Sequence, residues 1–488
     1  MAQKQEDSSH TVTMSRPLSQ SEENWAKLTD QGTGIAACGI ALKRYVEEIQ
    51  ITKALHELMD HYAIARARIV ENNKGKLYLQ VHNSPAKPTV KEKSWPNVDH
   101  SIFNPGVLEL QNDDENHTLS LALNQIVCSE INIPFLNINK IAAPPLDVLE
   151  VHFYRNSSMP QTIIVIRIHS GACDRTSCCV MVKHFLTALN AIVEGRKPEF
   201  PDSPGKNELT SPMEDMIPKG KADKGFLTKG LDVLGYALDS KKYSLLPFNP
   251  EFTKMPNNGC FMSDIVTYNL GREGTNALYS ACKKENTTLT AALASAYLQT
   301  ASNIKELKEK KLNQFCFTGV LDCRPYFEPP LAENALGNYS AGILQGAQVK
   351  NDISFWDLAR LISSKTEKEV RKHKHFSELP VLAMLVRQVM KHPSLTPNSS
   401  KRSGLFTLFF GEPGKIEWKD MDSLNVAGSL GPVASMHAVG PCFCACESMR
   451  EGPDLCISFI FATPVFTKDQ MHCFATSVFE LLKSSSCF

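Results

Sequence analysis

The chain has 488 residues, 42% of them hydrophobic and 21% charged, with Lys plus Arg equal to Asp plus Glu at 52 each. That composition describes a globular protein too long for one ordinary core, so two lobes or domains are expected. The zero net charge removes the electrostatic argument for nucleic acid or an anionic membrane as a partner.

The opening MAQKQEDSSHTVTMSRPLSQ is polar and lacks the apolar centre of a secretory signal, and residues 1–15 are expected to be disordered. No run approaches the roughly 18 apolar residues that cross a bilayer. A cytoplasmic location is therefore expected. The Asn-x-Ser/Thr sites at Asn116, Asn156, Asn286, Asn338 and Asn398 should then carry no glycan.

Residues 16–200 read as a first lobe. Ile51 to Ile69 carries Ala54, Leu55, Leu58, Met59 and Tyr62 at helical spacing. From Leu77 onward LYLQV, LSLAL, VLEVHFY and TIIVIRI read as short strands. Ile163 to Asn190, IIVIRIHSGACDRTSCCVMVKHFLTALN, reads as a buried strand, a tight turn carrying His169 and Asp174, and an amphipathic helix. A histidine held at such a turn is where a general base would sit, and a carboxylate five residues on would brace the turn.

Residues 201–250, rich in Pro, Gly, Lys and Asp, read as an exposed crossover. Residues 251–488 read as a second lobe. There Thr288–Ile304 is a helix capped by Thr288 or Thr290, Phe315–Leu321 a strand, Phe355–Lys372 a helix and His392–Gly404 a loop. CISFIFA and QMHCFATSVFELL close the chain as strand and helix. Strands and helices mixed in both halves indicate α/β or α+β layers.

The 15 cysteines are scattered and odd in number, which is no disulfide framework. Cys442, Cys444 and Cys446 alternate, so a strand would turn all three to one face. They lack zinc-ligand spacing and a second ligand pair, and are read as buried structural thiols. Cys173, beside His169, would need an activating partner at hydrogen-bond reach to be a nucleophile. KHKH, Lys372 to His375, follows a lysine-rich helix and reads as a solvated surface. No metal site is expected. Walker, Gly-x-Gly-x-x-Gly and Gly-x-Ser-x-Gly signatures are absent.

Several landmarks in order resemble the chloramphenicol-acetyltransferase-like superfamily, which includes the condensation domains of peptide synthetases and the plant BAHD acyl-CoA transferases. LHELMDHYAIARARI, ending in Arg66 and Arg68, resembles the opening helix of condensation domains. HSGACDRTS resembles the motif His-His-x-x-x-Asp-Gly. TLTAALASAYL resembles the helix that opens the second BAHD lobe. GVLDCRPYFEPPLAENALGN resembles the BAHD signature Val-Asp-x-Arg-x-Arg-x-x-Pro-Pro-Leu followed by Gly-Asn. SRPLSQSEENW and GPVASMHAVGPC are similar to a plant branch described as condensation-domain-containing.

The resemblance implies two lobes with a cleft or tunnel between them, and an acyl transfer from a thioester to a small hydroxyl or amine acceptor in plant specialised metabolism. It implies a monomer with no bound cofactor, acyl-CoA as co-substrate, and a small-molecule donor and acceptor as partners. The second histidine of the motif would be the base. The aspartate, here Asp174, would pair with an arginine of the second lobe, here Arg324, and hold the turn.

This chain departs from the pattern at the motif itself. Aligning Asp174 leaves His169 at the first histidine, Ser170 at the catalytic position and Arg175 at the glycine. Adjacent strand residues face opposite ways, so His169 could turn from the cleft while Ser170 turns into it. Three readings stay open: His169 swings in as base, another group such as His437 serves, or the site binds ligand without turnover. LNVAGSLGP, Leu424 to Pro432, stands where BAHD enzymes carry Asp-Phe-Gly-Trp-Gly. Asn338, Ser340 and Ser435 are candidate substrate contacts.

Overall fold

The computed structural model describes residues 12–29, 33–82, 89–98, 114–133, 146–202, 208–222, 243–244, 246–247, 262–308, 312–391, 405–410, 414–418, 420–435, 442–449 and 452–486. In chain order the strands are β1 (Val12–Pro17), β2 (Ile35–Leu42), β3 (Ala67–Glu71), β4 (Leu77–His82), β5 (Val90–Ser94), β6 (Leu146–Asp147), β7 (Leu149–Arg155) and β8 (Thr162–His169). They continue as β9 (Met262–Asn269), β10 (Leu312–Asp322), β11 (Ser340–Lys350), β12 (Leu405–Phe410), β13 (Gly414–Glu417), β14 (Val426–Ala434), β15 (Cys442–Met449) and β16 (Pro453–Thr463). The longer helices are α1 (Gln20–Leu28), α2 (Glu48–His61), α3 (Asp114–Ile131), α4 (Arg175–Val193), α5 (Gly271–Lys284), α6 (Leu289–Ser302), α7 (Phe355–Arg371), α8 (Leu379–Lys391) and α9 (Lys468–Ser486).

The first lobe is built on a five-stranded sheet, β14-β2-β8-β7-β5, with a smaller sheet β1-β4-β3-β6 beside it. Ile164, Ile166 and Ile168 of β8 point to one face, where α2 and α4 cover them with Leu55, Leu58, Phe185 and Leu189. Ile163 and Val165 point to the other face and meet Leu119, Leu123 and Val127 of α3. The second lobe is a seven-stranded sheet, β11-β10-β12-β15-β16-β9 with β13 on β15. Its outer face packs α6 and α9 through Tyr297, Phe459, Phe474 and Val478. Its inner face sends Ile265, Cys442, Cys444 and Ile460 into the same core as α3. The helix α3 therefore lies in the seam between the lobes, which burial of both its sides stabilises.

Several expectations change. Val12 to Ser15 lie in β1, paired with β4 from Arg16 and Pro17 back to Val12, so order begins before residue 16; residues 1–11 lie outside the described residues. LSLAL is not a strand. It belongs to α3, because Leu119, Ala122, Leu123, Ile126 and Val127 recur at helical spacing and are buried together. The helix read from Ile51 to Ile69 ends at His61, and β3 begins at Ala67. Arg66 turns back to donate to the carbonyl of Met59 at 2.7 Å, and Arg68 pairs with Asp147 of β6 at 2.7 Å.

The crossover 201–250 is not exposed throughout. Met213 is buried against Cys323, Phe327 and Tyr339, and Leu246 joins the second-lobe core. The second lobe is also not continuous from residue 251, since β14 leaves it and pairs with β2 of the first. At the bulge in β14, Gly431 has φ +105°, and a Cβ there would stand 2.4 Å from the Ala37 carbonyl, so only glycine fits. KHKH is not all surface. The backbone turns left-handed at His373, and His375 is buried, its ring 4.9 Å from that of Tyr326.

By length and composition α4 is apolar enough to cross a membrane, but 67% of that stretch is buried inside the molecule. Its burial is that of a core helix.

Candidate active site

The strand-turn-helix expected around His169 is present as β8, residues 170–174 and α4. Asp174 is the N-cap of α4 and accepts the Ser177 N–H at 2.8 Å. Capping accounts for its place at the helix start, and its other contacts go to the second lobe. Oδ2 accepts from Arg324 Nη1 at 2.8 Å and from the Tyr339 N–H at 2.9 Å; Oδ1 accepts from Arg324 Nη2 at 3.1 Å. The Asp174 N–H in turn donates to the Gly337 carbonyl at 2.9 Å.

Arg324 sits in a single 3-10 turn after β10. Its guanidinium also donates to Ser177 Oγ at 2.9 Å, to the Ala335 carbonyl and to Asp322 at 3.0 Å, and it lies 4.8 Å from the Tyr339 ring centre. The Arg324 and Asp174 side chains are 2% and 0% exposed. This fork, with every donor used, ties the turn to the second lobe.

His169 ends β8, paired with Ile35 of β2, and by alternation it shares the face of Ile163 and Val165, which is turned toward α3 and the second lobe. It is fully buried. Nδ1 accepts the Gly171 N–H at 3.0 Å, which puts the proton of the neutral ring on Nε2. Burial pushes its pKa down to about 4, opposed by its own carbonyl. The turn is tight: a Cβ on Gly171 would stand 3.0 Å from both the His169 ring and the Glu22 carbonyl of α1. Helix α1 thus closes over the turn from outside.

Ser170 is half-buried. Its N–H donates to the Gly34 carbonyl at 2.8 Å, and its carbonyl accepts from Asn338 Nδ2 at 3.0 Å. Asn338 is therefore held at the turn. Ser340 opens β11 opposite Asp322 and is half-buried, while Ser435 is buried just past β14. His437 lies outside the described residues. The structure thus brings His169, Ser170, Asp174, Arg324 and Asn338 together, with Ser340 two residues further along.

Arg175 is the site residue that sequence reasoning noted only as a departure. From the first turn of α4 it reaches the Ala445 carbonyl and Cys444 Sγ of β15, crossing the seam just beyond the Asp174 clamp. Its position in place of glycine was the available signal. Among the described residues no group of three or more His, Cys, Asp or Glu side chains is arranged to hold a metal ion.

The buried histidines make folding acid-sensitive. Burial pushes His169, His184 and His375 from 6.5 down to about 4. The unfolded chain takes up protons below 6.5 that the folded chain refuses until about 4, so this stability is complete above pH 6.5 and is lost as pH falls through that window. Urea unfolding midpoints should hold steady from pH 8 to 7 and decline between pH 6.5 and 4; a midpoint independent of pH across that window would contradict this.

No protein-family model and no curated protein matches the sequence. Solved structures do. The first condensation domain of the calcium-dependent antibiotic synthetase, in complex with a substrate analogue, is 10% identical, with 98% of this chain and 97% of that chain covered at TM-score 0.64. The fold is that of the condensation domains. The epimerization domain from the third module of tyrocidine synthetase B aligns at 11% identity over 99% and 98% of the two chains, TM-score 0.61. Polyketide synthase associated protein 5 from Mycobacterium tuberculosis aligns at 14% identity over 96% and 98%, TM-score 0.59. The condensation-type fold thus spans nearly the whole chain, as two lobes of mixed α/β structure meeting at the His169 turn.

Proposed function

We propose that this protein is an acyltransferase of the condensation type, which moves an acyl group from a thioester, acyl-CoA by preference, to the hydroxyl or amine of a small acceptor. The observation that carries the reading is the clamped turn. Asp174 and Arg324 hold a strand-end histidine and a half-buried serine at the junction of the lobes. In such a transfer the acceptor gives its proton to a base and its lone pair attacks the thioester carbonyl. The tetrahedral oxyanion then collapses, and the departing thiolate takes up the proton.

His169 is neutral at pH 7 and so has the protonation state of a base. To accept a proton it must exchange its Gly171 contact for the acceptor, a ring rotation within the turn. His437 is the competing base. Ser170 and Ser340 are assigned as polar contacts to the acyl group, and Asn338 holds the Ser170 carbonyl in place.

A second reading, ligand binding without turnover, is favoured by one observation: His169 is fully buried with Nδ1 already engaged. One experiment separates the two. Purified protein is incubated with a panel of acyl-CoAs and hydroxyl or amine acceptors, and products are read by mass spectrometry. The expected result is product whose formation falls by about 10²-fold or more on replacing the base, His169→Ala or His437→Ala. Saturable binding of acyl-CoA by calorimetry with no product from any pair would favour the second reading.

A further inference from the structure

Helix α4 presents a stripe to the second lobe at i, i+4 and i+8. Arg175 reaches Cys444 and the Ala445 carbonyl, and two turns later Lys183 pairs with Glu417 of β13. Residues at that spacing share one helix face, so Cys179, between them, faces the same strands. β13 and β15 run parallel with Gly414 beside Cys446 and Glu417 beside Met449. Cys446 lies on the same face of β15 as Cys444, which Arg175 meets, so Cys446 is the position on β15 that Cys179 faces. Both are buried in the same core.

The environment differentiates the pair. Donation from Cys179, and then the Arg175 guanidinium, pull the Cys446 thiol below its ordinary value against burial, while Cys179 is raised. Two neighbouring thiols of unequal acidity suit the roles of an attacking and a resolving cysteine. Arg175, one turn away, is half-buried.

We propose that Cys179 and Cys446 are an oxidation site, at which a hydroperoxide converts the pair into a disulfide that joins the two lobes. The Cys446 thiolate attacks the distal peroxide oxygen and breaks the O–O bond. This gives a sulfenic acid and, from hydrogen peroxide, hydroxide, which takes up a proton as water. The Cys179 sulfur then attacks the sulfenic sulfur, the S–O bond breaks, and the Cys179 proton leaves with the hydroxyl as a second water. Two thiols lose two electrons and the peroxide gains them. A second cysteine, Cys456, lies opposite Cys446 on β16, within cross-strand reach. It is the internal competitor, but a link to it would stay inside one sheet and would lack the guanidinium stripe. The inference is independent of the transferase reading, since its readout is covalent chemistry.

The full-length folded protein is treated with hydrogen peroxide, alkylated to block remaining thiols, and digested without reduction. The expected product is a peptide pair joining Cys179 and Cys446, reversed by dithiothreitol, lost in Cys179→Ala and in Cys446→Ala, and retained in Cys456→Ala. Arg175→Met should slow its formation about tenfold, because it removes the charge that favours the thiolate. Circular dichroism on each variant keeps the comparison among folded proteins. A Cys446–Cys456 link, or thiols that oxidise only after urea unfolding, would overturn the proposal.

Discussion

Arg324→Met is expected to destabilise the protein by about 3–5 kcal/mol, the usual cost of leaving a buried charge without its partner. Asp174 would keep only the Ser177 and Tyr339 N–H groups, too little for a carboxylate with no exposed surface. Asp174→Asn alone should also be costly. An amide presents an N–H toward a site built entirely of donors. The double substitution Asp174→Asn with Arg324→Met should recover part of the loss, because the two effects share one interaction. Thermal and urea unfolding of the three variants measure this; a wild-type midpoint for Arg324→Met would refute the argument. A lysine does not rescue the site, since it cannot reproduce the fork that meets Asp174, Ser177 and Ala335 together.

The second large effect belongs to α3. Glu130 is fully buried, and four groups converge on it: His152 Nδ1 at 2.8 Å, the Tyr154 hydroxyl, Arg167 Nε at 3.3 Å and Lys93 Nζ at 3.2 Å. Burial pushes the Glu130 carboxyl up, but these donors outweigh it and hold it down to about 2. Burial pushes the His152 ring below its ordinary value, against the Glu130 carboxylate that raises it. Glu130→Leu should cost about 3 kcal/mol or more, since His152 and Tyr154 lose a buried acceptor and Arg167 a buried counter-charge.

The variant should also lose a pH effect. With a folded pKa below the unfolded value of 4.5, wild-type Glu130 stabilises fully above pH 4.5 and loses that contribution as pH falls toward 2. The difference between wild type and variant should therefore shrink below pH 4.5. Glu150, whose side chain is 11% exposed and bonded to Arg167 at 2.7 Å, should matter less. Equal losses at Glu130 and Glu150, or a difference that does not change with pH, would contradict this account.

Much of the scaffold was legible because local signals agreed with burial. In β8 all eight residues from Thr162 to His169 are buried, and the apolar run from Ile163 to Ile166 reads that way. Thr288 caps α6 by accepting the Ala291 N–H at 3.2 Å, one of the two caps that composition allowed. LSLAL misled because five residues of alternation fit either period, and only burial on both lobes' sheets decides for the helix.

At the site, Asp174 and Arg324 could be matched by resemblance, and they do meet. The orientation of His169 could not be read. Which ring nitrogen is engaged depends on the Gly171 N–H and on α1 closing from a distant part of the chain. Arg175 stood out as a departure, but its contacts could not be read for the same reason, since its partners Ala445 and Cys444 lie 270 and 269 positions away. Long-range pairing leaves no local pattern.

The passage of β14 into the first sheet bears on how the chain is made. Along β2, residues Ala36 to Leu42 pair with partners between Val426 and Ala434, so that edge stays open while the intervening residues leave the ribosome. An uncovered strand edge invites pairing with another chain, and pairing over so long a separation is slow. The first lobe, although synthesised first, is therefore not completed until β14 is made. Until then the open edge of β2 depends on protection from neighbouring chains.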